Sequence, residues 1–410
     1  MSDSKKKVPK RRFEEFSNAN DWELRKLMSV FEFPVSTNSL SRSQLNYDNG
    51  EIKSVHYGDI LVNYDSILEI AKDRIPFITN GVIDKYKPNL LENGDLIFAD
   101  AAEDETVGKA VEVDGKTNEY IVAGLHTIVA RPRRKMAKFF WGYYINSSIY
   151  HNQLLRLMQG TKVASISKSN LQKTYVTYPD NFVEQKKIGT FFKQLDDTIA
   201  LHQRKLEKIK ALKTAYLSEL FPAEGESKPK RRFAGFTDAW EQRKLGEVTE
   251  SFDGKRVPID SGLRVLGEYP YYGATGIIDY VDDYIFDGEY VLLAEDGANI
   301  IMRNNPVAYL TQGKFWLNNH AHIMRMIEGN NCFLVQVLEK IDYIKYNTGT
   351  AQPKLNSKIV KNIEFKLPQI EEQQQIGAFF KQLDDTITLH QRKLQKLQNI
   401  KKAYLNEMFI

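Results

Sequence analysis

The sequence predicts an α+β architecture: two globular α/β domains joined by two long antiparallel coiled-coil helices, arranged as a pseudo-two-fold internal repeat. Three observations predict it. Residues 188–221 and 376–409 align without a gap and are identical at 24 of 34 positions. A second echo opens each half, with PKRRF at 9–13 and at 229–233. It is followed by Trp22-Glu23-x-Arg25-Lys26-Leu27 and Trp240-Glu241-x-Arg243-Lys244-Leu245. The segments between, roughly 28–150 and 246–345, hardly resemble each other. One frame used twice around two different inserts is a frame for two different jobs.

Each element follows from local pattern. In 188–221, seam residues recur at Ile188, Phe192, Leu195, Ile199, His202, Leu206, Ile209, Lys213, Tyr216 and Leu220. Steps alternating between four and three are a heptad seam. The second copy carries the same seam from Ile376 through His390 to Met408. Each such helix is ~50 Å long at 1.5 Å per residue. Two near-identical halves favour a two-fold relation, which sets the helices antiparallel and the inserts at opposite ends. In the first insert IKSVHYGDILVNY, NGDLIFAD and EYIVAGLHTIVARP read as strands, and KFFWGYYINSSIYHNQLLRLMQ as a helical stretch. In the second, EYVLLAEDGANIIM, PVAYLTQ and AHIMRMIE read as strands and CFLVQVLEKIDYI as a helix. The boundaries expected are 1–27 for a basic arm, 28–179 for the first insert and 180–222 for the first long helix. A basic linker, 223–245, the second insert, 246–368, and the second helix, 369–410, complete the chain.

Composition sets bounds. The chain has 410 residues, 42% apolar and 27% charged, as in an ordinary soluble globular protein. Each half, about 1–225 and 226–410, is large enough to bury a core of its own. One cysteine, Cys332, excludes an internal disulfide and a cysteine metal cluster and suits a reducing cytoplasm. No apolar run approaches the ~18 residues of a membrane span, and the start, MSDSKKKVPKRRF, has no signal-peptide core. Net charge is only +4, but the basic residues are clumped, as at Lys10, Arg11 and Arg12, at Lys230, Arg231 and Arg232, and at Arg131, Arg133 and Arg134. Such clumps serve either as phosphate-contacting arms or as solvated tails.

Polar side chains able to read base edges are Gln159, Lys162, Ser165, Lys168 and Arg133 in the first insert. In the second they are Arg303, Asn304, Lys314, Asn318, Asn319, Gln352 and Lys354. Arginine and lysine suit guanine, and asparagine and glutamine suit adenine. Trp141, Tyr143, Tyr144, Tyr271, Tyr272 and Trp316 are candidates to pack on sugars or bases. Surplus apolar residues beside the seam, Phe191, Leu201, Phe379 and Leu389, widen each helix face beyond a two-helix contact. They suit docking of another protein's helices, or contact with the chain's own inserts.

Catalytic signatures are missing. There is no G-x-x-x-x-G-K-[ST] and no G-x-G-x-x-G, so no nucleotide site is signalled. Asp180 with Glu184-x-Lys186 has a nuclease-like look but too tight a spacing, and reads as helix-start acids and a surface lysine. Asp100, Glu103 and Asp104 form either a metal-binding or a solvated acidic loop. His320 and His322 make a weak metal signal. The chain reads as a reader, not a catalyst.

The paired IGxFFKQLDDTIxLHQRKL helices closely resemble the DNA specificity (S) subunit of type I restriction-modification systems. So do GATGIIDY...FDGEYVLLAEDGANI at 273–300, GDLIFADAAEDETVGK and GLHTIVARP. That resemblance implies that the inserts are target recognition domains, each reading half of a split, double-stranded DNA target. It implies that the helices space the domains and dock two methyltransferase (M) subunits, with restriction (R) subunits joining that core. It also implies no cofactor bound by this chain: S-adenosylmethionine belongs to the methyltransferase subunit, and ATP and magnesium to the restriction subunit. Two unlike inserts imply an asymmetric target. Exchanging 246–367 for a different insert is expected to change one half of the methylated sequence only, read by mapping the methylated sites; a change in both halves would contradict modular reading.

Overall fold

The computed structural model describes residues 7–160 and 163–410. Two helices of 38 residues each, Phe182–Glu219 and Ile370–Glu407, run through the two compact units. The first begins ahead of the 188 start of the repeat because Asn181 caps it, its side-chain oxygen accepting from the Val183 and Glu184 amides at 2.9 and 3.3 Å. The units do not follow the sequence halves. One comprises residues 1–202 with 393–410, and the other comprises 203–392. The units therefore cut across the halves 1–225 and 226–410.

In the unit of 1–202 and 393–410, the main sheet has five strands, in the order Phe31–Glu32, Thr127–Pro132, Leu96–Ala99, Ala110–Asp114, Ile67–Glu69. Its centre is antiparallel, with Thr127 opposite Ala99 and Leu96 opposite Glu112. The stretch 52–64 departs from a continuous strand. Ile52–Val55 is extended, but the His56 ring accepts from the Gly58 amide at 3.2 Å and starts a helix over Tyr57–Val62. The aromatic stretch after 138 is two short helices, Phe140–Ile145 and Ser148–Leu155. Glu112 accepts from the Phe139 and Gly142 amides at 2.6 and 2.9 Å, with its carboxyl pushed up to about 7 by burial.

In the unit of 203–392, the strands Thr249–Ser251, Ala321–Met326, Tyr290–Ala294 and Ala308–Thr311 form an antiparallel sheet. A second sheet joins Gly276–Val281, Leu266–Gly273, Lys314–Leu317 and Phe286–Asp287. After Ala294 the stretch leaves the sheet and closes as a short helix, Asn299–Met302. The helix predicted near 332 is Asn331–Lys340, capped by the Asn330 side chain.

The repeated frame makes the same contacts in each unit. The Glu23–Lys26 strand pairs with Tyr175–Tyr178, and Glu241–Lys244 pairs with Glu364–Leu367. The Arg12 guanidinium donates from Nε and Nη2 to Glu184, each at 2.7 Å, and the Trp22 indole donates to the same carboxylate at 3.2 Å. Arg232, Trp240 and Glu372 repeat the triad at 2.7, 2.7 and 3.2 Å. Both glutamates are fully buried. A glycine follows on each helix where the inserts touch its backbone: a Cβ on Gly189 would lie 2.5 Å from the Lys138 carbonyl, and one on Gly377 would lie 2.2 Å from Asn330 Oδ1.

Within each unit the helix segments pack antiparallel. Phe191 meets Tyr404 and Asp196 meets Lys401 in one; Tyr216 meets Phe379 and Lys213 meets Asp384 in the other. Phe409 sits among Trp22, Phe140, Tyr144 and Phe192, with ring centroids 5.4–6.5 Å away. Phe221 sits among Trp240, Phe333 and Phe380 at 5.4–6.1 Å. Each insert is thus closed by the far end of the other repeat's helix. Removing one member of a buried charge pair costs ~3–5 kcal/mol. Glu184→Gln and Glu372→Gln are each expected to cost about 3 kcal/mol, measured by denaturant unfolding of the full chain.

Candidate nucleic-acid interface

In the second insert the segment 347–355 returns beside the end of the Tyr290–Ala294 strand. The Leu355 amide donates to the Glu295 carbonyl at 2.7 Å, the Gly297 amide to Pro353 at 3.0 Å, and Asp296 bridges to Lys354. The Asn347 side chain accepts from the Gly349 and Lys354 amides at 3.0 and 2.9 Å and holds the turn. Gln352 and Lys354 are exposed on it, and Gln352 lies over Gly297, whose φ of +108° a side chain would not tolerate.

A charged network supports this loop from beneath. His322 is 1% exposed. Its Nδ1 faces Asp253 at 2.7 Å and its Nε2 faces the Leu355 carbonyl at 2.8 Å. Burial works to raise the Asp253 carboxyl, but the His322 hydrogen bond and charge carry it below its ordinary value. Arg256 donates to Glu295 at 2.6 Å and to the Ala321 carbonyl at 2.8 Å.

The first insert builds the same place differently. Gln159 and Ser165 exchange two backbone hydrogen bonds at 3.0 and 2.9 Å, and the Ile166 amide donates to the Asp100 carbonyl at 2.8 Å. Gln159 and Ser165 are exposed there, while Lys162 lies outside the described residues. His126 Nδ1 stands 3.2 Å from Asp100, whose carboxyl is raised by burial against the opposing pull of His126. In the second insert His320 Nδ1 stands 2.9 Å from Asp296.

The structure brings together Gln159 with Ser165, and Gln352, Lys354 and Asn319 with His320. Asn318 is buried, and its side chain accepts from the His320 amide at 2.8 Å, so it shapes the turn. Arg303 leaves the group: its φ is +56°, and it donates to the Glu339 and Ile341 carbonyls and lies over the Tyr343 ring. With Asn304 it lines a groove of about 1230 Å³ against the long helices. Lys314 lies over Tyr284. Lys168 donates to the Phe33 carbonyl at 2.9 Å, and Arg133 to the Met28 carbonyl at 3.2 Å.

Several candidate aromatics are core instead of surface. Trp141, Tyr143, Tyr144 and Tyr271 are each 1% exposed, and the Trp316 indole donates to the Val257 carbonyl. Arg12 and Arg232, in the basic clumps, are spent on buried glutamates, so Glu184 is an arginine partner and not a metal-site acid. Asp104 accepts from the Thr106 amide, apart from Asp100. Among the described residues no group of three metal-ligating side chains occurs. Phe191 and Phe379 pack on Phe13 and Phe233 of the PKRRF segments, while Leu201 and Leu389 are 44% and 51% exposed. The aspartate–histidine pairs escaped the sequence reading because their members are 24–26 residues apart; their signal was a polar residue closing one strand and a histidine opening its neighbour.

A family profile described as "Type I restriction modification DNA specificity domain" matches residues 19–211 and 237–399. The chain belongs to that family, whose specificity subunits are non-catalytic DNA-recognition components of type I restriction-modification systems. It is 22% identical over 418 aligned positions to the MjaX specificity subunit of Methanocaldococcus jannaschii, covering 94% of this chain and 92% of that one. It is 38% identical over 137 residues to a type I restriction enzyme specificity subunit of Haemophilus influenzae, covering 33% of this chain and 35% of that one. The crystal structure of a type I restriction-modification S subunit from M. genitalium shares the fold, with a TM-score of 0.70 at 15% identity, covering 98% and 99% of the two chains.

His322 ties the strand Ala321–Met326 to the 347–355 loop, so its loss leaves Asp253 and Glu295 buried beside an apolar gap. His322→Leu is expected to cost about 2–3 kcal/mol and to raise hydrogen exchange at the Leu355 and Gly297 amides. Unchanged exchange there would show that the loop does not depend on it.

Proposed function

We propose that this chain is the sequence-reading subunit of a type I restriction-modification complex, acting in the cytoplasm on double-stranded DNA. Residues 28–179 and 246–368 each read one half of a bipartite, asymmetric target. The observation that carries this reading is one frame, repeated down to the Arg–Glu–Trp triad, holding two inserts whose exposed loop residues differ: Gln159 and Ser165 in one, Gln352 and Lys354 in the other. Unlike readers on a two-fold frame suit a target whose halves differ.

The long helices space the two readers. A helix of 38 residues is ~57 Å long, about 17 base pairs of B-DNA. They also dock two methyltransferase subunits, with exposed Leu201 and Leu389 among the contacts, and restriction subunits join that assembly. Among the described residues no helix is long and apolar enough to cross a membrane. The chain binds no cofactor itself; S-adenosylmethionine is held by the methyltransferase subunit, and ATP and magnesium by the restriction subunit.

The test is a map of methylated adenines in cells making this chain with its methyltransferase, against cells lacking only this chain. A split, asymmetric motif that disappears with the chain is the expected result. An unchanged map, with the methyltransferase shown to be active, would favour a scaffold that joins two protein-binding domains.

A further inference from the structure

Each insert carries an aspartate–histidine pair at one register position of its central antiparallel sheet. Thr127 lies opposite Ala99, and Ala321 opposite Ala294, so His126 and His320 each stand one residue before the paired strand. The next backbone bonds also match. The Asp100 amide donates to the His126 carbonyl at 3.0 Å, and the Glu295 amide to the His320 carbonyl at 2.9 Å. The Ile166 amide then donates to Asp100, and the Leu355 amide to Glu295, at 2.8 and 2.7 Å. Only the carboxylate differs in origin: Asp100 occupies the matching position itself, whereas Asp296 comes one residue later.

The side chains are arranged alike. His126 is 49% exposed beside Asp100 at 27%, and His320 is 54% exposed beside Asp296 at 23%. A carboxylate accepts, so Nδ1 carries the hydrogen and the Nε2 edge is set on the far side of the ring. His126 holds this place at φ +54°, a left-handed backbone uncommon for residues other than glycine. Its ring is further fixed by Tyr57, whose centroid is 5.2 Å away. Beside the pairs stand the exposed loop residues Ser165 in one insert and Lys354 in the other.

Two inserts that read different sequences have one thing in common on their ligand, the sugar–phosphate backbone. A device kept at one register in both, while the loop residues next to it change, suits the part of DNA that does not change. Phosphate contacts set position and register without specifying bases. With Nδ1–H held by the carboxylate, the exposed Nε2 edge becomes a directed donor to a phosphate oxygen when the ring takes up a second proton as the phosphate docks. We propose that His126 and His320 are matched phosphate anchors, one for each half-site, with Asp100 and Asp296 as positioning residues. This rests on the DNA-reading assignment made above.

The test uses the full chain co-expressed with its methyltransferase, as wild type, His126→Asn, His320→Asn and the double variant. His320→Gln and His126→Gln serve as second replacements should an asparagine variant misfold. Affinity is measured on a target duplex and an unrelated duplex, together with phosphate-ethylation interference and the methylated motif. Each single variant is expected to bind about tenfold more weakly on both duplexes. Each is expected to lose one ethylation-sensitive phosphate, on the half-site its insert reads, with the methylated motif unchanged. A motif relaxed at one base pair would make the histidine a base reader and overturn the proposal, as would an unchanged affinity and footprint. A wild-type complex giving no footprint on any duplex would instead overturn the DNA-reading assignment, and the anchors with it.

Discussion

The buried Arg–Glu–Trp triad is the constraint on which the rest of each unit depends. Glu184 and Glu372 sit in the first turn of a long helix with almost no access to water, and a carboxylate there is costly unless fully paired. The guanidinium supplies two parallel hydrogen bonds and the indole a third. Satisfying that charge fixes the helix start against the PKRRF segment and the strand that follows the tryptophan. That strand pairs with the one leading into the helix, which closes a ring around the insert. The insert can vary because the ring holding it does not.

The helices were legible in the sequence because a heptad seam is local and periodic, and Asp196 and Asp384 meet lysines of the opposite repeat as an antiparallel seam requires. Insert strands were legible where apolar and β-branched residues ran together, and Thr127–Pro132 and Ala321–Met326 are buried along most of their length. Failures came where one side chain redirects the backbone: His56 turns a strand into a helix, and Asn146 and Ser147 divide a helical stretch in two. Arg12 resembled its basic neighbours, since its partner lies 172 residues away. Tyr144 gave no sign that Phe409 would cover it.

The candidate interface was half visible. Gln159, Ser165, Gln352 and Lys354 were named from residue chemistry, and all four are exposed on their loops. Arg303 has the right chemistry, but its left-handed backbone sends the guanidinium to two helix-end carbonyls. Residue type names what a side chain can bind; only backbone direction decides what it does bind.

The exchange of helix ends also dictates an order of assembly on the ribosome. Residues 203–392 form one continuous unit, so it can close as soon as they have emerged. The first insert, though synthesised earlier, lacks Met408 and Phe409 from its core until the second helix is complete. At ~5–20 residues per second, the roughly 207 residues from 203 to Phe409 amount to about 10–40 s of waiting. Through that interval Trp22, Phe140, Tyr144 and Phe192 lack their covering ring. The part of the chain born first is therefore the last to be sealed, and it is the part with most need of a chaperone.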